Sequence, residues 1–453
     1  MTTIINNEHK KLNFSSEREQ SQACLNSAEH EKNQGRKVLN VPNKREQDQT
    51  CLDSVEREGL RPKGNVPNLR FPEFSGEWEM CTLGDYGNVV TGNTPPTKDI
   101  ENYENGTYLW ASPADLSNIK LISETKTKLS SKGFSKTRAL PKGSVLVTCI
   151  GSTIGKTGMA TKEMSTNQQI NSIVVNDNND NEFVYYATQS AFPRYLSSIS
   201  VQAVPIISKS AFEKLPNKRP CLQEQKKIGK FLSLLDERIA TQSKIIDKLQ
   251  SLIKGINQEV FNDVGYSYKL GSICEIKSGY SGNQLIKKEG LKVSRIETIS
   301  GHRINLERVG YVSPFKNSES YKLQVGDILF SNINSVEYIG NTAFVDKDYD
   351  LYHGMNLLRL IPNSKIVVPF YLYLLLNTRK MLNRFKTICN KAVSQASINQ
   401  TDLGKTIIVL PSLENQIKIC NIYEVLFSKI DAEKKCLSLY NAQKQYLLRQ
   451  MFI

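Results

Sequence analysis

The stretch Pro220-Cys221-Leu222-Gln223-Glu224-Gln225-Lys226-Lys227-Ile228 opens a segment that runs to Phe261. It returns as Pro411-Ser412-Leu413-Glu414-Asn415-Gln416-Ile417-Lys418-Ile419, opening a segment that runs to Phe452. Both ends give one offset (411 − 220 = 191; 452 − 261 = 191), so the copies align without a gap. Apolar residues recur inside them in alternating steps of four and three, which predicts a helix with a heptad seam. The first seam is Ile228, Leu232, Leu235, Ile239, Gln242, Ile246, Leu249, Ile253, Ile256 and Val260. The second is Ile419, Tyr423, Leu426, Ile430, Glu433, Leu437, Tyr440, Lys444, Leu447 and Met451. Each has a polar residue at the same place, Gln242 and Glu433. A helix over 223–261 is about 58 Å long at 1.5 Å per residue. Its stripe must be buried, and the other copy is the nearest partner, so the spacing predicts two long antiparallel coiled-coil helices. Two unrelated amphipathic helices, each packed on its own domain, would give a similar pattern.

Working outward, residues 71–219 contain short β-rich runs such as Ser144–Ile150 and Ile170–Val175, separated by Gly, Asn, Ser and Pro clusters. Residues 264–410 repeat the plan. Leu83-Gly84 matches Leu270-Gly271, and Thr91-Gly92 matches Ser278-Gly279. Lys142–Val147 matches Val325–Phe330, Ile154-Gly155 matches Ile339-Gly340, Asn171 matches Asn356, and Phe183–Tyr186 matches Phe370–Tyr373. The framework repeats while the loops differ. The expected fold is α/β (mixed α+β), with two repeated globular domains joined by the two long helices. The expected divisions are a polar extension at 1–68, a first globule at 69–219, a helical spacer at 220–262, a second globule at 263–410 and a second spacer at 411–453. The extension is poor in large apolar residues and carries its own duplication: Arg18–Leu25 is echoed by Arg45–Leu52.

The net charge of +14 favours a polyanionic partner, nucleic acid ahead of an acidic membrane. The longest apolar run, Val367–Leu376, is too short to span a bilayer and contains Pro369. The first residues have no apolar signal region. A soluble, cytoplasmic protein is expected. Nine cysteines without one Cys-x-x-Cys pair argue against a zinc or disulfide framework.

The Pro-x-Leu-x-x-Gln entry into a long helix resembles the repeated regions of specificity subunits of type I restriction–modification systems. So do the Leu-Gly opening of each globule, the Gly151-Ser152-Thr153-Ile154-Gly155 segment and the Leu69-Arg70-Phe71-Pro72-Glu73-Phe74 start. The resemblance covers 69–453. It implies two target-recognition domains, each reading one half of a bipartite, asymmetric double-stranded DNA site. It implies helices that act as a spacer and dock two methyltransferase subunits, with two restriction/translocase subunits completing the complex. It also implies that S-adenosylmethionine, ATP and Mg²⁺ belong to those partners and none to this chain.

The residues themselves argue against catalysis here. Gly151–Thr157 is tempting as a phosphate loop, but a true loop has four residues between its glycines and leads into a helix; here there are three. Asn93-Thr94-Pro95-Pro96 lacks the aromatic of an adenine methyltransferase motif. Glu275-Ile276-Lys277 and Glu124-Thr125-Lys126 resemble nuclease tails without a convincingly placed aspartate, although Asp115 precedes the second. The four histidines show no metal-ligand spacing. A stand-alone nuclease or methyltransferase, and a coiled-coil scaffold without a nucleic-acid role, are the competing classes.

Candidate DNA contacts are the cations and polar loop residues, since Lys and Arg meet phosphates while Arg, Asn and Gln pair with base edges. In the first globule these are Lys126, Lys128, Lys132, Lys136, Arg138 and Lys156, with Thr91, Asn93 and Thr94. In the second they are Lys287, Lys288, Arg295, Arg303, Arg308 and Lys316, with Ser278, Asn283 and Gln284.

Overall fold

This computed structural model describes residues 64–116, 120–198, 206–261, 264–391 and 395–453. The duplicated part of the polar extension, 1–63, and the junction residues 262–263 lie outside the described residues.

The first globule contains strands β1 (Glu79–Thr82), β2 (Gly87–Thr91), β3 (Tyr108–Ala111), β4 (Leu121–Ile122) and β5 (Thr127–Leu129). Helix α1 (Ser131–Ser135) is followed by β6 (Val145–Thr148), β7 (Thr157–Ala160), β8 (Ser165–Thr166) and β9 (Ile170–Val175). Then come α2 (Asn181–Ser198), α3 (Lys209–Glu213), β10 (Pro216–Arg219) and the long helix α4 (Leu222–Val260). The second globule contains β11 (Tyr266–Lys269), α5 (Leu270–Ile273), β12 (Cys274–Ser278), β13 (Leu291–Val293), β14 (Gly310–Val312), β15 (Ile328–Phe330), β16 (Ile333–Asn334), β17 (Thr342–Phe344) and β18 (Leu358–Pro362). It continues with α6 (Pro369–Leu376), α7 (Arg379–Ile388), β19 (Asn390–Lys391), β20 (Ala396–Ser397), α8 (Gln400–Gly404), β21 (Ile407–Leu410) and the long helix α9 (Leu413–Met451).

The repeat is visible in the topology. The main sheets run β2-β9-β6-β7-β4 and β12-β18-β15-β17, the same order with one added strand. The first and last strands of each globule pair antiparallel, β1 with β10 and β11 with β21. This clasp carries the chain straight into the long helix. The turn between β6 and β7 places Gly155 at φ +89° against Phe192, and its counterpart Gly340 at φ +83° against Phe385. A side chain there would be strained and would strike the ring, which explains why Ile-Gly occurs in both copies.

Two of the matches made from sequence are out of register. Val145 faces Ile173 and Ile328 faces Leu360, so Asn171 corresponds to Leu358, not to Asn356. Phe183 meets Phe452 as Tyr371 meets Phe261, so Phe183 corresponds to Tyr371 rather than Phe370. Side-chain chemistry misled both matches, because Asn and Phe recur near the true positions while the backbone register decides.

The repeated glutamine of the helix entry now has a physical role. Gln225 donates to the Pro220 carbonyl at 3.0 Å and accepts from the Asp180 amide at 3.1 Å. Gln416 donates to the Pro411 carbonyl at 2.9 Å and accepts from the Val368 amide at 2.9 Å. Both are buried. Each ties the first turn of a long helix to the segment that opens the globule's own helix, satisfying backbone groups that would otherwise be orphaned.

The two long helices contact each other in opposite directions: Asp236 meets Lys444, Arg238 meets Tyr440, Gln242 meets Glu433, and Asn257 meets Tyr423. Only the middle of the seam serves the helix pair alone. Ile228 and Leu232 pack into the core of the first globule, together with Leu447, Leu448, Met451 and Phe452 from the far end of α9. Cys420 and Tyr423 pack into the core of the second, together with Phe261 from the far end of α4. Each helix therefore starts in its own globule and ends in the other. Leu235, Ile239, Leu249, Ile253, Ile419, Leu426, Leu437 and Tyr440 are half-buried, and Ile246 and Ile430 are buried. No helix among the described residues is long and apolar enough to cross a membrane.

Candidate nucleic-acid interface

In the first globule the polar loop after β2 sits beside the end of α1 and the turn between β8 and β9. Asn93 spends its amide on backbone: its Nδ2 donates to Lys136 O at 2.8 Å and its Oδ1 accepts from the Arg138 amide at 3.0 Å. Thr94 donates to Gln168 and Thr91 to Asn171. Trp110 Nε1 donates to the Asn93 carbonyl at 3.1 Å. Thr91, Asn93, Thr94, Lys136 and Arg138 are thus brought together, but Thr91 and Asn93 hold the loop's shape.

The cations divide into paired and unpaired. Lys132 bonds Glu101 and lies 3.3 Å from Asp99; Lys136 lies 3.0 Å from Asp99. Hydrogen bonding from Lys136 holds the Asp99 carboxyl below its ordinary range. Lys128 pairs with Glu124 at 2.8 Å. These three lysines are neutralised locally and offer little net attraction to phosphate. Lys126, Arg138 and Lys156 are exposed and have no ion-pair partner among the described residues; the Arg138 guanidinium donates to Thr91 O at 2.6 Å.

In the second globule the loop after β12 is built differently. Tyr280 stacks on Phe315 with centroids 3.7 Å apart, and Tyr321 closes the cluster edge-on. Leu285 N donates to Tyr311 O at 2.7 Å. Space at Gly310 is filled by Gln284 Oε1 and Arg295 Cδ. Gln284 and Arg295, both able to read base edges, therefore flank one point. Ser278 ends β12 opposite Leu358, and Asn283 is exposed. Lys287, Lys288, Arg308 and Lys316 are exposed without ion-pair partners among the described residues, and Arg295 lies 3.5 Å from Glu297. Arg303 does something else. One guanidinium nitrogen, Nη1, donates to both oxygens of Asp431 on α9 at 3.0 and 2.9 Å, strapping globule to helix. The pair is open to solvent, the arginine side chain being 60% exposed, and it spends part of this cation's charge on the helix.

The motifs weighed for catalysis resolve into scaffold. Gly151–Lys156 is a hairpin loop: Thr148 N donates to Lys156 O and Gly155 N to Thr148 O, both at 2.9 Å. A strand follows it, where a phosphate loop leads into a helix. Asp115 uses its oxygens on Ser112 and on the Lys126 amide, shaping a turn, while Glu275 pairs with Lys277 at 3.1 Å. No group of three or more His, Cys, Asp or Glu able to hold a metal occurs among the described residues. His353 is buried, its Nε2 2.9 Å from Leu357 O, and burial pushes its pKa down to about 4.

One polar assembly escaped the sequence reading. Lys120 donates to Glu182 at 2.6 Å and to Ser233 at 3.0 Å, and lies 5.3 Å above the Tyr186 ring. Tyr186 donates to Asp236 at 2.6 Å, and Lys444 pairs with Asp236 at 2.7 Å. Burial, then the Asp236 charge, push the Tyr186 phenol well above its ordinary pKa. The available signal was Lys444, a charge at a seam position.

The family model described as type I restriction modification DNA specificity domain matches this chain twice, at residues 75–251 and 265–438. A putative type I restriction enzyme MjaX specificity subunit of Methanocaldococcus jannaschii is 41% identical over 180 residues, covering 39% of this chain and 42% of that protein. The type I restriction enzyme MjaIX specificity subunit of the same organism is 23% identical over 401 residues, covering 75% of this chain and 91% of that protein. In structure, the S subunit of a type I restriction–modification system from M. genitalium aligns with a TM-score of 0.56 at 18% identity, covering 86% of this chain and 99% of that chain. That likeness establishes a shared fold.

Proposed function

Because this chain belongs to the type I restriction modification DNA specificity family, we propose that it recognises a bipartite, asymmetric double-stranded DNA site as the non-catalytic specificity subunit of such a system. The observation that carries this is two globules with one strand order and dissimilar loops, held apart by a pair of long helices. A shared framework with different loops suits two readers of different half-sites. In this reading residues 69–219 and 263–410 are the recognition domains, while 220–262 and 411–453 form an antiparallel coiled-coil spacer. Unpaired Lys126, Arg138 and Lys156 in one globule, and Lys287, Lys288, Arg308 and Lys316 in the other, supply phosphate contacts. Gln284 and Arg295 suit base edges.

Both helices also expose large apolar side chains: Leu234, Ile245 and Leu252 on α4, and Ile417, Ile422, Val425 and Leu439 on α9. Such exposed apolar surface supports docking of partner helices. Two methyltransferase subunits there and two restriction/translocase subunits beyond them complete the cytoplasmic complex, carrying the S-adenosylmethionine, ATP and Mg²⁺. Methylome sequencing of cells expressing this chain with its methyltransferase partner tests the proposal. A two-part motif with an unread gap is expected; an unmodified genome, or methylation by this chain alone, overturns it.

A further inference from the structure

The two loops that follow the matched glycines, Gly92 and Gly279, end differently. The first is bound down: Tyr103 Oη donates to Pro95 O at 2.8 Å and Asn102 Nδ2 to Pro96 O at 2.9 Å, besides the Asn93 bonds. In the second, the Leu285 amide donates a hydrogen bond to Tyr311 O, and Tyr280 stacks on Phe315. The next residue, Ile286, is 103% exposed, beyond any other large apolar side chain among the described residues. A stem tied down at Leu285 thus holds out a bare branched apolar side chain, followed at once by Lys287 and Lys288 and based on Gln284 and Arg295.

Ile100 in the first globule is an internal control. It is 72% exposed and stands between Asp99 and Glu101, whose charges Lys132 and Lys136 offset, so its setting is near neutral where that of Ile286 is basic. Ile286 stands where phosphates are attracted. Apolar side chains held in basic loops insert between base pairs, unstack one step and bend the duplex.

We propose that Ile286 is a DNA wedge that enters one base step of the half-site read by the second globule, with Lys287 and Lys288 on the flanking phosphates. The inference rests on the DNA-recognition reading above. Unstacking energy depends on the step, so the wedge adds selectivity at a position without a hydrogen bond, favouring flexible pyrimidine–purine steps.

The test uses the full chain with its methyltransferase partner and the duplex defined by methylome sequencing. 2-Aminopurine is placed in turn at each position of the second half-site. With the native complex one position brightens on binding besides the base that the methyltransferase extrudes. Ile286→Ala and Ile286→Ser lose that signal and bind about tenfold more weakly, a difference of about 1.4 kcal/mol, while Ile286→Leu keeps it. Lys287→Gln with Lys288→Gln weakens binding and flattens its salt dependence, yet keeps the signal. Specific binding with no such brightened position, or brightening and affinity unchanged in Ile286→Ala, overturns the wedge and leaves recognition standing. Failure of the native complex to prefer its duplex overturns both.

Discussion

Where α9 crosses the first globule, Lys444 lies between Asp236 and the face of Tyr186. Where α4 crosses the second, the matching residues are Ile253 and Phe427 (444 − 191 = 253; 427 − 191 = 236), both packed on that globule's apolar core. Phe427 lies edge-on to Phe370 and Tyr423, with centroids 6.2 and 6.0 Å away. One junction is ionic and hydrogen-bonded, the other aromatic. The sheets show the reverse. Ser144 and Ser172 of the first globule correspond to Asp327 and Arg359 of the second, a buried pair at 2.7 Å. Burial still raises the Asp327 carboxyl pKa despite that arginine. The comparison teaches that the duplicated backbone tolerates either chemistry at one place, provided both members of a contact change together.

The largest expected effect comes from what the junctions share. Phe452 packs against Phe183 and Trp78, and Phe261 against Tyr371 and Tyr423. Phe452→Ala and Phe261→Ala should each cost about 3–5 kcal/mol. Denaturant unfolding should show similar losses; a much smaller loss at either site would break the equivalence of the two ends.

The ionic junction can then be broken alone. Lys444→Ile leaves Asp236 without its cation and should cost about 2–3 kcal/mol, less than a fully buried pair because both side chains keep some water. Adding Asp236→Phe, which installs the second globule's pair, should recover most of the loss. A double variant as unstable as the sum of the singles would show that Tyr186 and Lys120 fix the chemistry of this junction.

Acid separates the globules again. His353 is in the second globule, and the described part of the first has no histidine. Its folded pKa, about 4, lies below the ordinary 6.5. Above pH 6.5 both folded and unfolded states are neutral there, and the group contributes nothing. As pH falls the unfolded chain takes up the proton first, so stability drops between pH 6.5 and about 4. By pH 5 the loss should be about 2 kcal/mol. His353→Gln, which keeps a donor for Leu357, should remove that part of the pH dependence. Identical slopes for both proteins between pH 7 and 5 would refute it.

Much of this architecture was legible in the sequence because backbone-scale constraints repeat. The Pro-x-Leu-x-x-Gln entries, the glycine turns and the 191-residue offset each report geometry that both copies need. What stayed hidden depends on pairs distant in sequence. Nothing in the run Lys126–Arg138 reveals that Asp99 and Glu101 neutralise Lys132 and Lys136, and nothing near Arg303 points to Asp431. The seam positions are buried or half-buried, yet the ends of the seam belong to the globules, since periodicity shows that a face is buried without showing what buries it. Ile286 was passed over because reading for polar and charged types skips an apolar residue inside a basic run.

The junctions also bear on half-molecules. If residues 1–262 form a homodimer with α4 antiparallel to its own copy, Phe261 takes the place of Phe452 and two Gln242 amides meet at the centre. A dimer of 263–453 brings two Glu433 carboxylates together and sets Lys444 against Phe427. The amino-terminal half should therefore dimerise more readily. Its weak point is Ile253, which takes the place of Lys444 beside Asp236. Ile253→Lys in the 1–262 fragment restores the missing ion pair and should tighten the dimer about tenfold, roughly 1.4 kcal/mol. In the intact chain the same substitution puts an ammonium against the apolar core of the second globule and should destabilise. Sedimentation of the fragment and thermal unfolding of the intact chain read the two signs. If Ile253→Lys shifts both in the same direction, Ile253 and Lys444 do not occupy equivalent places, and the two-fold relation between the junctions fails.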